Sequence, residues 1–111
     1  MVKALAMSEA DFQRAVTDLA AILGFAWTHF RPAQTSHGWR TPVSGPLGKG
    51  WPDLVLAKPG RFLAVELKAA GAKCSPDQAA VHAVLREAGV EVRVWWPADL
   101  DNGAILEVLR A

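Results

Sequence analysis

The sequence has little of what marks secreted and membrane proteins. Its single cysteine, Cys74, excludes an internal disulfide and has no Cys or His partner at zinc spacing, which is typical of a reducing cytoplasm. No apolar run approaches the roughly 20 residues of a membrane span. In the opening "MVKALAMSEADF", the short apolar stretch is interrupted by Ser8, Glu9 and Asp11, so it is too short for the apolar region of a signal peptide. We therefore expect a cytoplasmic protein with no membrane partner.

Repeats and low-complexity segments are also absent. Hydrophobic residues make up 51% of the chain and charged residues 21%, which excludes an intrinsically disordered protein. A length of 111 residues allows one hydrophobic core but not two, so we expect a single domain over residues 1–111. The net charge of +1 favours no class of partner.

Acidic residues are missing from one segment, residues 31–52. This Pro- and Gly-rich connection contains Arg40, Lys49 and His37, and a polyanion could approach it without repulsion. The alternative is a solvated loop whose charges have no function. Together with Lys73, these three residues are the candidate nucleic-acid contacts.

Hydrophobic periodicity and capping residues predict an α/β protein. Ser8 is a good N-cap for a first helix, and Ser75 to Gln78 form a capping box with proline at the first helical position of a second helix. The apolar stripe of that second helix is predicted to be Val81, Val84, Leu85 and Ala88. Strands are predicted at 25–30, 53–58, 61–68 and 90–96, followed by a helical segment at 99–110.

The two middle strands should form a hairpin that turns at Pro59-Gly60. This turn places Asp53 directly opposite Glu66, and strand alternation places Lys68 on the same face as Glu66. Like charges facing each other across a sheet are destabilising, and burial adds to the cost. Some interaction must therefore compensate for the two acids.

Two explanations for this cluster remain open from the residues alone. In the first, Lys68 neutralises one carboxylate in an ion network. In the second, which we favour, the carboxylates bind a hard divalent cation such as Mg²⁺ or Mn²⁺. Glu9 falls on the inward side of the first helix and is either a third acid of the site or an acid favoured by the helix dipole. Gln78 is explained by capping alone, and His82 is better explained by packing or surface exposure than by catalysis.

The residues "PD" (Pro52-Asp53) and "ELK" (Glu66-Leu67-Lys68) resemble the signature of the PD-(D/E)XK nucleases. The wider pattern of "EADFQRAV", "GWPDLVL", "AVELK" and "SPDQAAVHAVLREAGVEVRVWWP" is similar to the VRR-NUC (virus-type replication-repair nuclease) branch. The resemblance implies a restriction-endonuclease-like αβββαβ core with a mixed sheet and a central hairpin.

The resemblance also implies roles for individual residues. Asp53, Glu66 and the carbonyl of Leu67 would bind Mg²⁺ or Mn²⁺, and Glu9 would help to hold the metal or water. Lys68 would orient or activate the attacking water and stabilise charge on the phosphate.

Gln78 would support the site from the second helix. The implied activity is metal-dependent cleavage of DNA, with branched DNA such as four-way junctions as the expected substrate, a homodimer as the expected assembly and no organic cofactor. The alternatives are a non-catalytic nucleic-acid-binding module and a flap, single-strand or restriction-like nuclease. The long segment before Gly50 departs from the family, so its DNA contacts cannot be transferred.

Overall fold

The computed structural model describes residues 7–30, 33–35, 38–40 and 43–111, with backbone alone at 33–35 and 38–40. The elements in chain order are α1 Glu9–Ile22, β1 Ala26–His29, β2 Ala33–Thr35, β3 Gly38–Arg40, β4 Leu54–Lys58, β5 Arg61–Leu67, α2 Pro76–Glu87, β6 Glu91–Trp95, α3 Pro97–Asp101 and α4 Ala104–Arg110. None of the described helices is long and apolar enough to cross a membrane.

The main sheet has four strands in the order β1-β4-β5-β6. The β1–β4 and β4–β5 pairs are antiparallel, whereas β5 and β6 are parallel and are connected through α2. The predicted α/β fold is confirmed, and this mixed sheet is consistent with a restriction-endonuclease-like core. The predicted hairpin register is also confirmed, because Lys58 pairs with Arg61 and Leu54 with Val65.

The connection at residues 31–52 contains regular structure that the sequence did not predict. The short strands β2 and β3 pair with each other in a separate two-stranded sheet. Strands of three residues are too short to show the alternation of apolar and polar residues from which strands are recognised.

The helices begin at the predicted caps. The Ser8 hydroxyl accepts a hydrogen bond from the backbone N–H of Asp11 at 3.1 Å, and Ser75 and Gln78 form the predicted capping box of α2. The predicted apolar stripe of α2 is confirmed at Val81 and Leu85, which are buried, and is wrong at Val84 and Ala88, which are exposed. It also leaves out His82, which is only 2% exposed. The helix is turned so that Val81, His82 and Leu85 face the sheet.

Helices cover the sheet on both faces. Strand alternation places Leu63 and Val65 in the larger cluster, with side chains of α1 and α4, and Ala64 in the smaller cluster beneath α2. Glu66 continues the face of Ala64. An acidic side chain is thereby enclosed between the sheet and α2, beside His82 and next to the apolar residues of the smaller cluster.

Candidate active site

A pocket of about 390 Å³ opens where β5 ends, between α1 and the N-terminus of α2. Its lining includes every residue for which the sequence predicted a catalytic or metal-binding role: Glu9, Asp53, Glu66, Leu67, Lys68 and Gln78. The structure therefore brings together groups from α1, the β4–β5 hairpin and α2.

Asp53 is held by backbone contacts on both sides. It directly precedes β4, and its main-chain carbonyl accepts a hydrogen bond from the N–H of Phe30 at 2.9 Å. Its side-chain Oδ2 accepts a second bond from the N–H of Leu67 at 2.9 Å. The carboxylate is thus fixed against the end of β5, beside Glu66.

Glu66 is only 1% exposed and hydrogen bonds to the side chain of Asp53. Burial raises the pKa of Glu66 to about 9, with further increases from the hydrogen bond to Asp53 and from its charge, and the ammonium of Lys68 offsets only part of the rise. At neutral pH Glu66 therefore keeps its proton, which it donates to Asp53. The two facing acids do not both carry a charge.

Lys68 is positioned by the cap of α2. Its Nζ donates a hydrogen bond to Oε1 of Gln78 at 2.7 Å, and the same oxygen accepts the backbone N–H of Ser75 at 2.8 Å. Gln78 thus completes the capping box and holds the lysine at once, so its capping role and its role at the site are compatible. The N-terminus of α2 and the end of β5 are thus directly connected by a hydrogen bond.

Glu9 lies farther out than its helical position predicted. It lines the pocket from the first turn of α1, but its side chain is exposed rather than buried. Among the described residues, no three His, Cys, Asp or Glu side chains form a group that could hold a metal ion. Within this part of the chain, the close pair of acids is Asp53 and Glu66, with Glu9 at the rim.

The chemistry of this pair fits a hard divalent cation. The pKa of Glu66 is raised beside Asp53, and Oε1 of Glu66 is buried without a hydrogen-bond partner in the described part of the chain. Mg²⁺ and Mn²⁺ favour carboxylate and carbonyl oxygens and keep several waters, so few protein ligands suffice. A cation here would replace the proton of Glu66 as the positive charge that allows the two acids to lie together.

The structure also places His82 against Glu66, a contact that the sequence did not predict. Its Nε2 lies 3.5 Å from Oε1 of Glu66. Burial lowers the pKa of His82, and the positive charges of Arg86 and Lys68 lower it further. The signal was its position four residues after Gln78, which places both residues on one face of α2.

Two of the predicted nucleic-acid contacts can be located. Lys49 is exposed and forms an ion pair of 3.5 Å with Asp77 in the first turn of α2, and Lys73 is exposed in the loop before that helix. Both therefore lie close to the N-terminus of α2. His37 lies outside the described residues, as does the side chain of Arg40.

A comparison with protein families finds a match to the segment that contains most of this site. The model of the VRR-NUC domain matches residues 41–96, just over half of the 111-residue chain. The match includes Asp53, Glu66, Lys68 and Gln78, but not Glu9. No curated protein matches the sequence significantly. The chain belongs to the VRR-NUC domain family, and its function is therefore of the nuclease type, with a nucleic acid as substrate.

Proposed function

We propose that the protein is a Mg²⁺- or Mn²⁺-dependent endonuclease that hydrolyses phosphodiester bonds in DNA. The observation that supports this proposal most strongly is the convergence of Asp53, Glu66 and Lys68 on one pocket. Family membership supports the reaction class, and the close approach of two carboxyl groups, one of them buried, supports the cation.

Asp53, Glu66 and the carbonyl of Leu67 would hold the cation, with Glu9 assisting from the rim. When bound, the cation would supply positive charge to the phosphate and lower the pKa of a coordinated water. Glu66 must release its proton to take part, since only the ionised carboxylate is a good ligand.

Lys68 supplies the second positive charge. One of its three N–H donors is used by Gln78, which leaves the others for the pocket. We propose that they orient the attacking water and stabilise the negative charge that develops on the phosphate oxygens. A donor fixed before the reaction needs little reorganisation, which is what makes such charge stabilisation effective.

Replacement of Lys68 by alanine tests the proposal. Lys68→Ala should reduce DNA cleavage by at least about 100-fold, since it removes a fixed transition-state donor, and should leave DNA binding nearly intact. The matched control is Lys58→Ala, because Lys58 lies in the same hairpin but donates to the carbonyl of Leu23 at 3.2 Å. Cleavage by Lys68→Ala at the wild-type rate would contradict the role of Lys68.

Branched DNA, including four-way junctions, is the proposed substrate, and a homodimer is the proposed assembly. Two cuts in one junction require two copies of a site that each domain contributes once. Exposed Trp27, 44% accessible, is apolar surface available for an interface. Light scattering would measure the mass in solution, and a monomer at micromolar concentration would count against paired cutting.

The substrate's shape can be decided with labelled linear, flap, single-stranded and four-way DNA, each incubated with and without Mg²⁺ or Mn²⁺. Metal-dependent cutting of the four-way form alone would support the proposal. Cutting of another form would favour the flap, single-strand or restriction-like alternatives, and binding without cutting would favour the non-catalytic module. The single-domain organisation and a cytoplasmic location stay predictions.

A further inference from the structure

A second polar contact of Glu66 is made by a residue that does not line the pocket. This residue is His82 of α2, whose Nε2 lies 3.5 Å from Oε1 of Glu66. Both side chains are almost fully buried, at 2% and 1% exposure. The proposed mechanism assigns no role to this histidine.

Neither atom of this contact forms a hydrogen bond within the part of the chain that the structure describes. The described residues contain three buried side-chain nitrogens or oxygens without a partner, and two of them are Oε1 of Glu66 and Nε2 of His82. Buried polar groups without partners are uncommon because each loses its hydrogen bonds to water on folding. Two such groups that face each other at near hydrogen-bonding distance indicate a contact that is completed in another state of the site.

The neighbours of His82 on α2 strengthen this interpretation. Val81 and Leu85, which share its face of the helix, belong to the smaller apolar cluster. An apolar residue at position 82 would pack among them without an unpaired nitrogen. Packing alone therefore does not explain a histidine at this position, whereas a partner on the sheet does.

We propose that His82 is a positioning residue, which fixes the carboxylate of Glu66 by donating an Nε2–H hydrogen bond to Oε1 when Glu66 binds the cation. The inference rests on the proposed function, because it concerns the state in which Glu66 is a ligand. An ionised carboxylate accepts a stronger hydrogen bond than a protonated one. With Oε1 held by His82, Oε2 is left to ligate beside Asp53.

Outer contacts of this kind commonly change metal affinity by about 10- to 100-fold when they are removed. The test is calorimetric titration of the full chain with Mn²⁺ alone, without DNA. His82→Met keeps an apolar side chain of similar volume but lacks the donor, and it should weaken Mn²⁺ binding by at least about 10-fold. His82→Gln can present an amide N–H towards Oε1 and should restore the affinity to within about 3-fold of wild type.

Leu85→Ala is the matched control. It removes packing from the same face of α2, so it should lower the thermal midpoint while leaving the Mn²⁺ affinity of the folded protein unchanged. This control separates loss of helix packing from loss of the hydrogen bond. Circular dichroism verifies folding of each variant, and His82→Leu replaces His82→Met if the methionine variant does not fold.

The outcomes distinguish this inference from the proposed function. Wild-type protein that binds no Mn²⁺ would overturn the metal site itself and the inference with it. Wild-type binding that the apolar variants retain in full would overturn only the role of His82. Equal weakening in the apolar variants and His82→Gln would also contradict the hydrogen bond, since the donor would then not restore the affinity.

Discussion

Two glutamates lie at opposite ends of the parallel strands β5 and β6, and their surroundings shift their pKa values in opposite directions. Glu91, at the start of β6, accepts hydrogen bonds from Arg61 at 3.2 and 3.0 Å and from Arg93 at 3.0 Å. The hydrogen bond from Arg61 is the main reason that the pKa of Glu91 is lowered. Glu66, near the end of β5, faces Asp53, and its pKa is raised to about 9.

The difference separates an end of the sheet that ion pairs stabilise from the end at which the candidate active site lies. Arg61 also donates to the carbonyls of Leu109 and Ala111, so the Glu91 end joins the sheet to the C-terminal segment. At the Glu66 end, an acid is buried against another acid, an arrangement that favours ligand binding over stability. Replacing each glutamate by glutamine should therefore change stability in opposite directions, and only the replacement of Glu66 should reduce activity.

The largest expected effect is on cleavage. Glu66→Gln should lower the rate of metal-dependent DNA cleavage by at least about 100-fold, because a neutral amide is a poor ligand for a hard cation. Glu91→Gln makes the same substitution at the other end of the sheet, and this variant should cleave at close to the wild-type rate. Initial rates on labelled DNA in Mg²⁺ provide the measurement. Similar losses in both variants would mean that the two ends are not functionally distinct.

Much of this site could be predicted from the sequence because local rules determine it. The turn at Pro59-Gly60 sets the register that places Asp53 opposite Glu66, and the capping box at Ser75 places Gln78 at the first turn of α2. Both depend on contacts between residues close in the sequence. Such contacts are what turn and capping preferences describe.

The rest depends on long-range packing. Whether His82 or Val84 faces inward depends on how α2 is rotated against the sheet, and the polar Glu66 beneath it is not part of any helical pattern. The exposed position of Glu9 likewise depends on where α1 packs, not on its spacing from Phe12. A hydrophobic stripe predicts the approximate buried face of a helix, but an error of one residue rotates the predicted face by about 100°.

Glycine substitutions extend the comparison to the backbone. Gly50 and Gly60 both have positive φ, +107° and +81°, and they lie towards the Glu66 end and the Glu91 end respectively. A Cβ at Gly50 would be 2.5 Å from the carbonyl oxygen of Asp77 in α2, whereas a Cβ at Gly60 would meet no described atom within 4 Å. We expect Gly60→Ala to lose about 1 kcal/mol of unfolding free energy from backbone strain alone.

Gly50→Ala should lose about 2 to 4 kcal/mol, since it adds a clash with backbone to the same strain. It should also reduce cleavage by the molecules that remain folded, because the clash displaces the α2 terminus that holds Lys68 through Gln78. Urea denaturation gives the two free energies. Equal losses for Gly50→Ala and Gly60→Ala would show that the close approach to Asp77 has no structural consequence.

Removal of the buried acid should stabilise the metal-free protein. The folded state keeps the proton of Glu66 up to a pKa of about 9, whereas the unfolded chain releases it near 4.5. Wild-type stability therefore falls as pH rises between these values, because the folded state binds more protons there. Glu66→Gln has no such titration and should be more stable than wild type by about 1 to 3 kcal/mol near pH 7.

Urea denaturation in the presence of a chelator, at pH values from 4.5 to 8.5, measures this difference. The gap between Glu66→Gln and wild type should be small at the acid end and should widen with pH. A gap that stays constant over the series would show that Glu66 does not change its protonation on folding.

Glu91→Gln should show the smallest effect, with the opposite sign and pH dependence. Arg61 and Arg93 lower the pKa of Glu91 below 4.5, so the ionised carboxylate stabilises the folded state above that pH. At 28% exposure the pair is partly screened by solvent, and we expect Glu91→Gln to lose about 1 kcal/mol at pH 7. That loss should shrink as pH falls below 4.5 and wild-type Glu91 becomes protonated. The stability gained by Glu66→Gln grows towards alkaline pH, so plots of unfolding free energy against pH for the two variants should diverge as pH rises. Parallel plots would show that the two ends of the sheet do not differ electrostatically.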